Sequence, residues 1–189
     1  LLDLSEYDLG NLRHCTGAGE PLNPEVMKEW EEGTGMTIYD GYGQTETVLL
    51  VANYRSIPVK PGSMGKPTPG AEVAIVDEDG EVLAPGEEGQ IAVKVKPDRP
   101  VGLFREYWKD QDAMASSFQG DWYLTGDKAS MDEDGYFWFI GRADDVIISA
   151  GYRIGPFEVE SALIEHPAVA ESAVVASPDP VRGDVVKAF

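Results

Sequence analysis

The pattern of hydrophobic and polar residues divides the chain into three differently built segments. In the first segment, Asn23-Pro24 is a favoured helix start, with Asn as the cap and Pro in the first turn. Val26, Met27 and Trp30 follow on one face of the predicted helix. Gly33 is placed to end it. This segment therefore contains at least one amphipathic helix.

Short strands separated by turns are predicted for the middle of the chain. Residues 72–77 and 90–96 either alternate between apolar and polar side chains or are continuously apolar, as strands are. The aromatic run 136–140 is predicted as a strand buried on both faces. The tetrapeptide Asp-Glu-Asp-Gly occurs at 77–80 and again at 132–135. Asp-Gly between strands is typical of hairpins, so we predict a turn at each copy.

The third segment changes pattern again and predicts a β-α-β arrangement. Residues 146–148 and 169–176 are strand-like, and a helix begins at Pro156 between them. Residues 151–155 are predicted as a loop, and residues 185–189 as the start of another strand.

Composition and charge restrict the classes of partner. The chain has 189 residues, and 34 acidic against 15 basic side chains give a net charge of −19. This balance argues against nucleic acid or an anionic membrane as the main partner. No apolar run reaches membrane-spanning length. The single cysteine, Cys15, excludes an internal disulfide and favours a reducing compartment. We expect the cytoplasm, or the mitochondrial matrix in a eukaryote.

The nine residues from Tyr39 to Thr47 are the strongest local indication of chemistry. Two glycines permit a sharp turn and close approach of a ligand, and Tyr42, Thr45 and Glu46 then supply an aromatic face, a hydroxyl and a carboxylate. Those groups suit a nucleotide phosphate and a Mg²⁺ ion. The alternative is a glycine-rich strand end with a solvated polar tail.

Five ordered segments together resemble the later core motifs of the acyl-adenylate-forming superfamily, which contains acyl-CoA synthetases, peptide-synthetase adenylation domains and luciferases. They are residues 17–21, 39–47, 62–70, 123–127 and 141–160. Within the superfamily, residues 151–156 and 165–183 are most similar to medium-chain acyl-CoA synthetases.

The resemblance implies an AMP-forming acid–thiol ligase. Such enzymes use ATP and Mg²⁺ to convert a small carboxylic acid to acyl-AMP, and then transfer the acyl group to CoA. Two alternatives stay open: an adenylation domain that loads a carrier protein, and a non-catalytic nucleotide-binding or interaction module.

The resemblance also implies an α+β fold with defined boundaries. Residues 1–141 would be the C-terminal part of a large domain, with the end of an α/β layer over about 1–53 and a distorted antiparallel β-barrel subdomain over about 54–141. Residues 142–145 would form a hinge, and residues 146–189 the beginning of a small α+β domain.

A nucleotide site is implied by position in these motifs. Tyr42 would stack on the adenine, Asp40 would accept from its amino group, and Asp127 would accept from both ribose hydroxyls. The predicted ATP- and AMP-binding residues are Gly19, Glu20, Pro21, Asp40, Gly41, Tyr42, Gly43, Gln44, Thr45, Asp127 and Arg142.

Three of the implied roles concern catalysis. Thr45 would bind phosphate, Glu46 would hold the Mg²⁺ ion, and Arg142 would approach the ribose and phosphate. For Arg142, an exposed surface salt bridge is an equally good reading of the residue alone.

Movement and acceptor binding are assigned to the third segment. Asp144 matches the hinge position, and Gly151 would let the CoA pantetheine pass. Arg182 could instead pair with Asp179 or Asp184. The implied CoA or substrate residues are Ala150, Gly151, Tyr152, Arg153 and Arg182.

Gly43 indicates the size of the carboxylic acid substrate. Acetate-specific relatives carry a large aromatic ring at this position, which shortens the acyl pocket. Glycine would leave room for several carbons, each contributing about 0.8 kcal/mol when buried. We therefore expect a medium-chain, branched or aromatic acid.

Two elements of the superfamily are not in this sequence: the phosphate loop ending in Pro-Lys and the C-terminal lysine that contacts the acyl phosphate. We expect the chain to be a fragment that makes no acyl-AMP at a useful rate by itself. Apolar surface normally covered by the missing parts would favour self-association.

Overall fold

The computed structural model describes residues 4–189. A short 3₁₀ helix, Leu4–Glu6, precedes the regular elements. The helices are α1 (Pro24–Thr34), α2 (Gln111–Ser116) and α3 (Pro156–Ile164). The strands are β1 (Cys15–Ala18), β2 (Ile38–Gln44), β3 (Val48–Ala52), β4 (Lys66–Pro67), β5 (Val73–Val76), β6 (Glu88–Lys94), β7 (Phe118–Gln119), β8 (Trp122–Met131), β9 (Phe137–Arg142), β10 (Ile147–Ser149), β11 (Tyr152–Ile154), β12 (Val174–Asp179) and β13 (Gly183–Ala188).

The first sheet has the strand order β1-β2-β3-β4. Strands β1 and β2 are parallel and are connected through α1, whereas β3 and β4 continue the sheet in antiparallel fashion. The parallel register places Gly17 opposite Asp40. A parallel pair with a crossover helix is the expected end of an α/β layer.

Helix α1 begins as predicted but ends later. The Asn23 side chain accepts a hydrogen bond from the Glu25 N–H, which confirms the cap. The predicted end at Gly33 is wrong, because the helix continues to Thr34 and Gly35 adopts the left-handed conformation with φ of 70°. Val26 is 42% exposed, so only Met27 of the predicted face is buried.

The second sheet is antiparallel, with the order β5-β6-β8-β7 and with β9 paired to β8. Register shifts in the β6–β8 and β8–β9 pairs curl it into a half-barrel. Both predicted turns are present, since the Gly80 N–H donates to Asp77 O and the Gly135 N–H donates to Asp132 O. The chain thus has the predicted α+β fold.

The third sheet has the order β11-β10-β13-β12 and is antiparallel. The loop predicted over 151–155 is wrong in part, because Tyr152–Ile154 is β11. Ala150 and Gly151 have φ of 49° and 87°, and this left-handed turn brings β11 back along β10. The tail is therefore ββαββ rather than β-α-β.

The core consists of two hydrophobic clusters that meet at β2, the strand that contains most of the motif at residues 39–47. Val51, Ile91 and Phe137 are fully buried members of one cluster, and Tyr123 belongs to the other. The ring of Tyr42 packs against both clusters. Within residues 4–189, no helix has the length and apolar character required to cross a bilayer.

Gly65 lies where the first and second sheets touch. Its carbonyl accepts from the Phe137 N–H, and the Met64 N–H donates to the Phe137 carbonyl, both at 2.9 Å. Gly65 has φ of 92°, and a Cβ atom there would lie 2.0 Å from the Ala52 carbonyl carbon. Only glycine allows the backbone at position 65 to approach β3 this closely.

Candidate nucleotide and metal site

A cavity of about 250 Å³ opens between β1, β2, β8 and β9. Its lining consists of Gly19, Glu20, Pro21, Asp40, Gly41, Tyr42, Gly43, Met64, Asp127, Phe139 and Arg142. Nine of these eleven residues belong to the predicted ATP-binding set. Gln44 and Thr45, the other two of that set, do not line the cavity.

Asp127 is the most constrained acidic group of the cavity. It lies on β8 directly opposite Arg142 on β9, and its side chain is buried at 6% exposure. Its Oδ2 atom accepts from the Tyr42 hydroxyl at 2.5 Å and from Gln44 Nε2 at 2.7 Å. Burial, and then the charge of Asp127, raise the pKa of Tyr42, so the phenol stays a neutral donor. One oxygen is thus fixed by the protein.

Gln44 supports Asp127 instead of facing the cavity. Besides the bond to Asp127, its Nε2 donates to the Thr125 carbonyl at 2.8 Å. Its Oε1 accepts from the Tyr123 hydroxyl at 3.3 Å. Both the nitrogen and the oxygen of the amide are therefore hydrogen-bonded within the protein. Gln44 would contribute to a nucleotide site only by holding Asp127.

Asp40 is buried with an unpaired oxygen. Its Oδ1 accepts no hydrogen bond from residues 4–189. Burial raises the pKa of the Asp40 carboxyl to about 6, although the backbone N–H groups of Gly41 and Leu22 counteract this. A buried acceptor without a donor costs free energy until a ligand supplies one. Asp40 is thus suited to bind an N–H group.

The buried carboxyl of Asp40 predicts a pH-dependent stability difference. The folded chain holds the Asp40 proton more tightly than the unfolded chain. The contribution of Asp40 to the free energy of unfolding should therefore fall as pH rises from about 4 to about 6. Asp40→Asn removes the dependence. The difference, variant minus wild type, should grow by up to about 3 kcal/mol between pH 4 and pH 7, at about 1.4 kcal/mol per pKa unit.

Urea unfolding at a series of pH values measures this difference. Asp98→Asn, at an exposed carboxylate, is the matched control for the change in net charge. If the free energy of unfolding of Asp40→Asn minus that of the wild type stays constant from pH 4 to pH 7, the prediction is contradicted.

The Thr45–Glu46 turn lies beside the cavity and is fixed by Thr47. The buried Thr47 hydroxyl accepts from the Gln44 N–H and donates to the Val48 carbonyl, each at 3.0 Å. Thr45 is exposed and Glu46 half-buried. The turn therefore presents one hydroxyl and one carboxylate directly after Gly43, which lines the cavity.

The donor set of this turn fits Mg²⁺ held mainly by a substrate. Glu46 Oε1 accepts from the Tyr107 hydroxyl at 3.0 Å, which leaves Oε2 for a cation. Among residues 4–189 there is no group of three acidic, His or Cys side chains that could hold a metal by itself. Mg²⁺ commonly uses one or two carboxylates with phosphate oxygens and water, so Glu46 is sufficient on the protein side.

Gly43 lines the cavity through its backbone. A Cβ atom at Gly43 would lie 1.8 Å from the Val48 carbonyl oxygen and 2.9 Å from Leu49 Cα. The direction that a side chain would take is thus filled by β3. Glycine at this position is required by strand packing, and that requirement is independent of acyl length.

The predicted hinge residue is paired with a predicted catalytic residue. Arg142 Nε donates to Asp144 Oδ1 at 3.0 Å across the turn between β9 and β10. This hydrogen bond lowers the pKa of Asp144. Both side chains are exposed, so the pair contributes little to stability.

The predicted CoA residues lie together but away from the cavity lining. The Ala150 N–H donates to the Arg182 carbonyl at 2.8 Å, which joins the two segments. Ala150, Gly151, Tyr152, Arg153 and Arg182 are all exposed. Arg182 contacts Asp179 through its backbone N–H, at 2.8 Å.

A second cavity of about 490 Å³ adjoins the first. Pro21, Phe139 and Arg142 line both cavities. On its other side it is lined by α3 and β12, including Phe157 and Val174. The two cavities are therefore adjacent: the first lies between the first and second sheets, and the second extends from β9 to α3 and the third sheet.

Comparison with known sequences identifies the family. The sequence model described as AMP-binding enzyme matches residues 2–108, and that described as AMP-binding enzyme C-terminal domain matches residues 158–189. The chain belongs to the AMP-binding enzyme family.

Relatives of this AMP-binding enzyme chain are much longer than the chain. The acyl-coenzyme A synthetase ACSM3, mitochondrial, of Rattus norvegicus is 62% identical over 187 residues, which are 99% of this chain and 32% of the relative. The chain thus spans about a third of the length of the curated relatives it matches.

Two solved structures share the fold. An anthranilate CoA ligase in complex with anthranoyl-AMP is 40% identical, with a TM-score of 0.90 over 100% of this chain and 36% of that one. The o-succinylbenzoate coenzyme A synthetase of Bacillus subtilis, in complex with ATP and magnesium ion, is 36% identical. Its TM-score is 0.80 over 93% of this chain and 36% of that one.

Sequence reasoning missed two lining residues, Met64 and Phe139. No ligand-binding residue was predicted within residues 62–70, and the aromatic run 136–140 was predicted as a strand buried on both faces. Phe139 is half-buried and lies on the cavity side of β9, which only the fold reveals. Tyr107, which binds Glu46, was also missed.

Proposed function

We propose that this chain is part of an ATP-dependent, AMP-forming acid–thiol ligase that converts a carboxylic acid to acyl-AMP and then to acyl-CoA. The observation that carries the proposal is Asp127, a buried carboxylate with one oxygen fixed by Tyr42 and Gln44 and the other without a hydrogen bond from residues 4–189. A carboxylate held in this way suits the vicinal hydroxyls of a ribose.

The remaining cavity residues fit an adenosine. Asp40 offers its unpaired buried oxygen to the adenine amino group, and the ring of Tyr42 faces the same cavity. Arg142 lies opposite Asp127, where a fixed positive charge would bind ribose or phosphate oxygens. These roles explain why Asp40, Asp127 and Arg142 line the same cavity.

Thr45 and Glu46 would handle the phosphates. The exposed Thr45 hydroxyl donates to a phosphate oxygen, and Glu46 holds Mg²⁺ through the oxygen that Tyr107 leaves free. A Mg²⁺ ion held there would neutralise charge on the phosphates during formation of acyl-AMP, when pyrophosphate leaves. The Bacillus subtilis synthetase, solved in complex with ATP and magnesium ion, supports Mg²⁺ as the cation.

CoA is the preferred acceptor. The relatives in the comparison are acyl-coenzyme A synthetases and CoA ligases, and the joined segments at Ala150 and Arg182 form an exposed surface for it. Arg153 and Arg182 would bind its phosphates, and Asp144 would absorb the backbone change between the two half-reactions. The predicted boundaries 1–141, 142–145 and 146–189 belong to the same proposal.

A medium-chain, branched or aromatic acid is the proposed substrate class. The anthranoyl-AMP bound by a structural relative supports an aromatic acid, whereas Gly43 is explained by its packing against β3 and adds no support. The names of the relatives favour mitochondria over the cytoplasm.

A CoA-ligation screen of the full-length protein across acids of increasing chain length tests the proposal. We expect acid-dependent release of pyrophosphate and formation of acyl-CoA, with acetate a poor substrate. Thioester formation on a holo-carrier protein but not on CoA would favour a carrier-loading enzyme. ATP binding without turnover would favour a non-catalytic module.

A further inference from the structure

The segment 99–107 is attached directly to the residue proposed to hold Mg²⁺. The Phe104 N–H donates to the Glu46 backbone carbonyl at 2.6 Å, and the Tyr107 hydroxyl donates to Glu46 Oε1 at 3.0 Å. Main chain and side chain of one residue are therefore both bound by a segment almost sixty residues away in sequence.

We propose that Tyr107 is a positioning residue that sets the orientation of the Glu46 carboxylate, with residues 99–107 as a brace for the Thr45–Glu46–Thr47 turn. The inference rests on the proposed function, in which Glu46 holds the cation of Mg·ATP. Tyr107 acts through Glu46, and no contact of Tyr107 with substrate is required.

The ring of Tyr107 has little freedom, which a positioning residue requires. It packs on Phe104 with ring centroids 4.6 Å apart, and Phe104 packs in turn on the buried Tyr123 at 5.5 Å. The Tyr107 N–H also contacts Met114 Sδ at 3.3 Å. The hydroxyl is thus carried by an aromatic cluster that belongs to the core.

Arg99 ties the brace together. Its guanidinium donates to the carbonyl oxygens of Phe104 and Arg105, the latter at 3.2 Å. The same group lies 5.8 Å from the ring centre of Phe104 and 5.3 Å from that of Phe118. These contacts fix the backbone from which the Phe104 N–H and the Tyr107 side chain reach Glu46.

The chemical consequence concerns the second carboxylate oxygen. A carboxylate on a flexible side chain can rotate freely, but a hydrogen bond to Oε1 holds Oε2 in one direction. The same aromatic cluster also holds Asp127, since the Tyr123 hydroxyl donates to Gln44 and Gln44 donates to Asp127. One rigid unit therefore orients both the proposed metal ligand and the proposed ribose ligand.

Tyr107→Phe in the full-length protein tests the inference. The variant removes the hydroxyl and leaves the ring. The Mg²⁺ concentration for half-maximal ATP binding, measured calorimetrically without the acid substrate, should rise about tenfold. Tyr54→Phe is the matched control, because the Tyr54 hydroxyl makes a 3.0 Å hydrogen bond to the Lys66 carbonyl away from Glu46.

Tyr54→Phe should keep the wild-type Mg²⁺ midpoint, and both variants should have similar unfolding temperatures. A Tyr107→Phe midpoint equal to that of the wild type would overturn the inference alone and leave the proposed function intact. Wild-type ATP binding that is independent of Mg²⁺, or no ATP binding at all, would overturn the proposed function and the inference together.

Discussion

Replacing Asp127 by asparagine in the full-length protein is expected to lower kcat/KM for ATP about a hundredfold. Tyr42 and Gln44 both donate to Oδ2, so only the amide oxygen of an asparagine can occupy that place. The NH₂ group is then forced into the position of Oδ1, where the carboxylate offers an acceptor. A hydrogen bond to a charged group contributes about 1.5–3 kcal/mol, and the upper half of that range gives the expected factor.

Steady-state kinetics with ATP as the varied substrate measure this effect. Asp121→Asn is the control, because Asp121 lies at the far end of β8 in an exposed pair with Lys96. Asp121→Asn should leave kcat/KM unchanged. Wild-type kinetics in Asp127→Asn would contradict the assignment of Asp127 to the ribose.

Gly65→Ala is expected to lower the free energy of unfolding by about 2–5 kcal/mol. The new methyl group would lie 2.0 Å from the Ala52 carbonyl carbon and 2.3 Å from the Asn53 backbone nitrogen. These are main-chain atoms at the end of β3, so β3 and the segment that leads into β4 must move apart to admit the methyl group. Overpacking of this kind costs about 1–3 kcal/mol, and a positive φ at a residue other than glycine adds about 1–2 kcal/mol.

Gly70→Ala separates the two contributions. Gly70 has φ of 90°, close to the 92° of Gly65, but a Cβ atom there would meet no heavy atom within 4 Å. Urea unfolding should therefore show a loss of about 1–2 kcal/mol for Gly70→Ala and a clearly larger loss for Gly65→Ala. Equal losses would contradict the prediction that the close approach of Gly65 to Ala52 and Asn53 adds to the cost.

The ordered motifs allowed most of the candidate site to be predicted from the sequence. Residues 19–21 and 40–43 each lie within one short segment, so finding the motif finds the whole group. Asp127 and Arg142 are separate motifs, and their pairing on neighbouring strands brings them into the same cavity.

The supporting contacts could not be predicted, because they join residues far apart in the chain. The bond from Tyr107 to Glu46 spans 61 residues and that from Gln44 to Asp127 spans 83. No hydrophobic periodicity reports such a pairing, since it depends on sheet order and register. Gln44 was therefore assigned to the nucleotide itself, although its amide is used by Thr125, Asp127 and Tyr123.

Local backbone geometry limited the prediction of the third segment. The hairpin at Ala150 and Gly151 depends on two successive left-handed residues, the first of which is not glycine. A sequence pattern favours a loop there, because alanine rarely takes that conformation. The end of α1 was misplaced for a related reason: both Gly33 and Gly35 can end a helix, and only the latter has the required φ.

The position of Tyr42 links evolution of the site to evolution of the fold. Its hydroxyl fixes Asp127, while its ring fills the junction of both hydrophobic clusters. A substitution that changed ligand preference at this position would also weaken the core, and selection acts on both effects at once. Divergence of the proposed site towards other ligands would therefore proceed through lining residues outside both clusters, such as Pro21, while Tyr42 is retained.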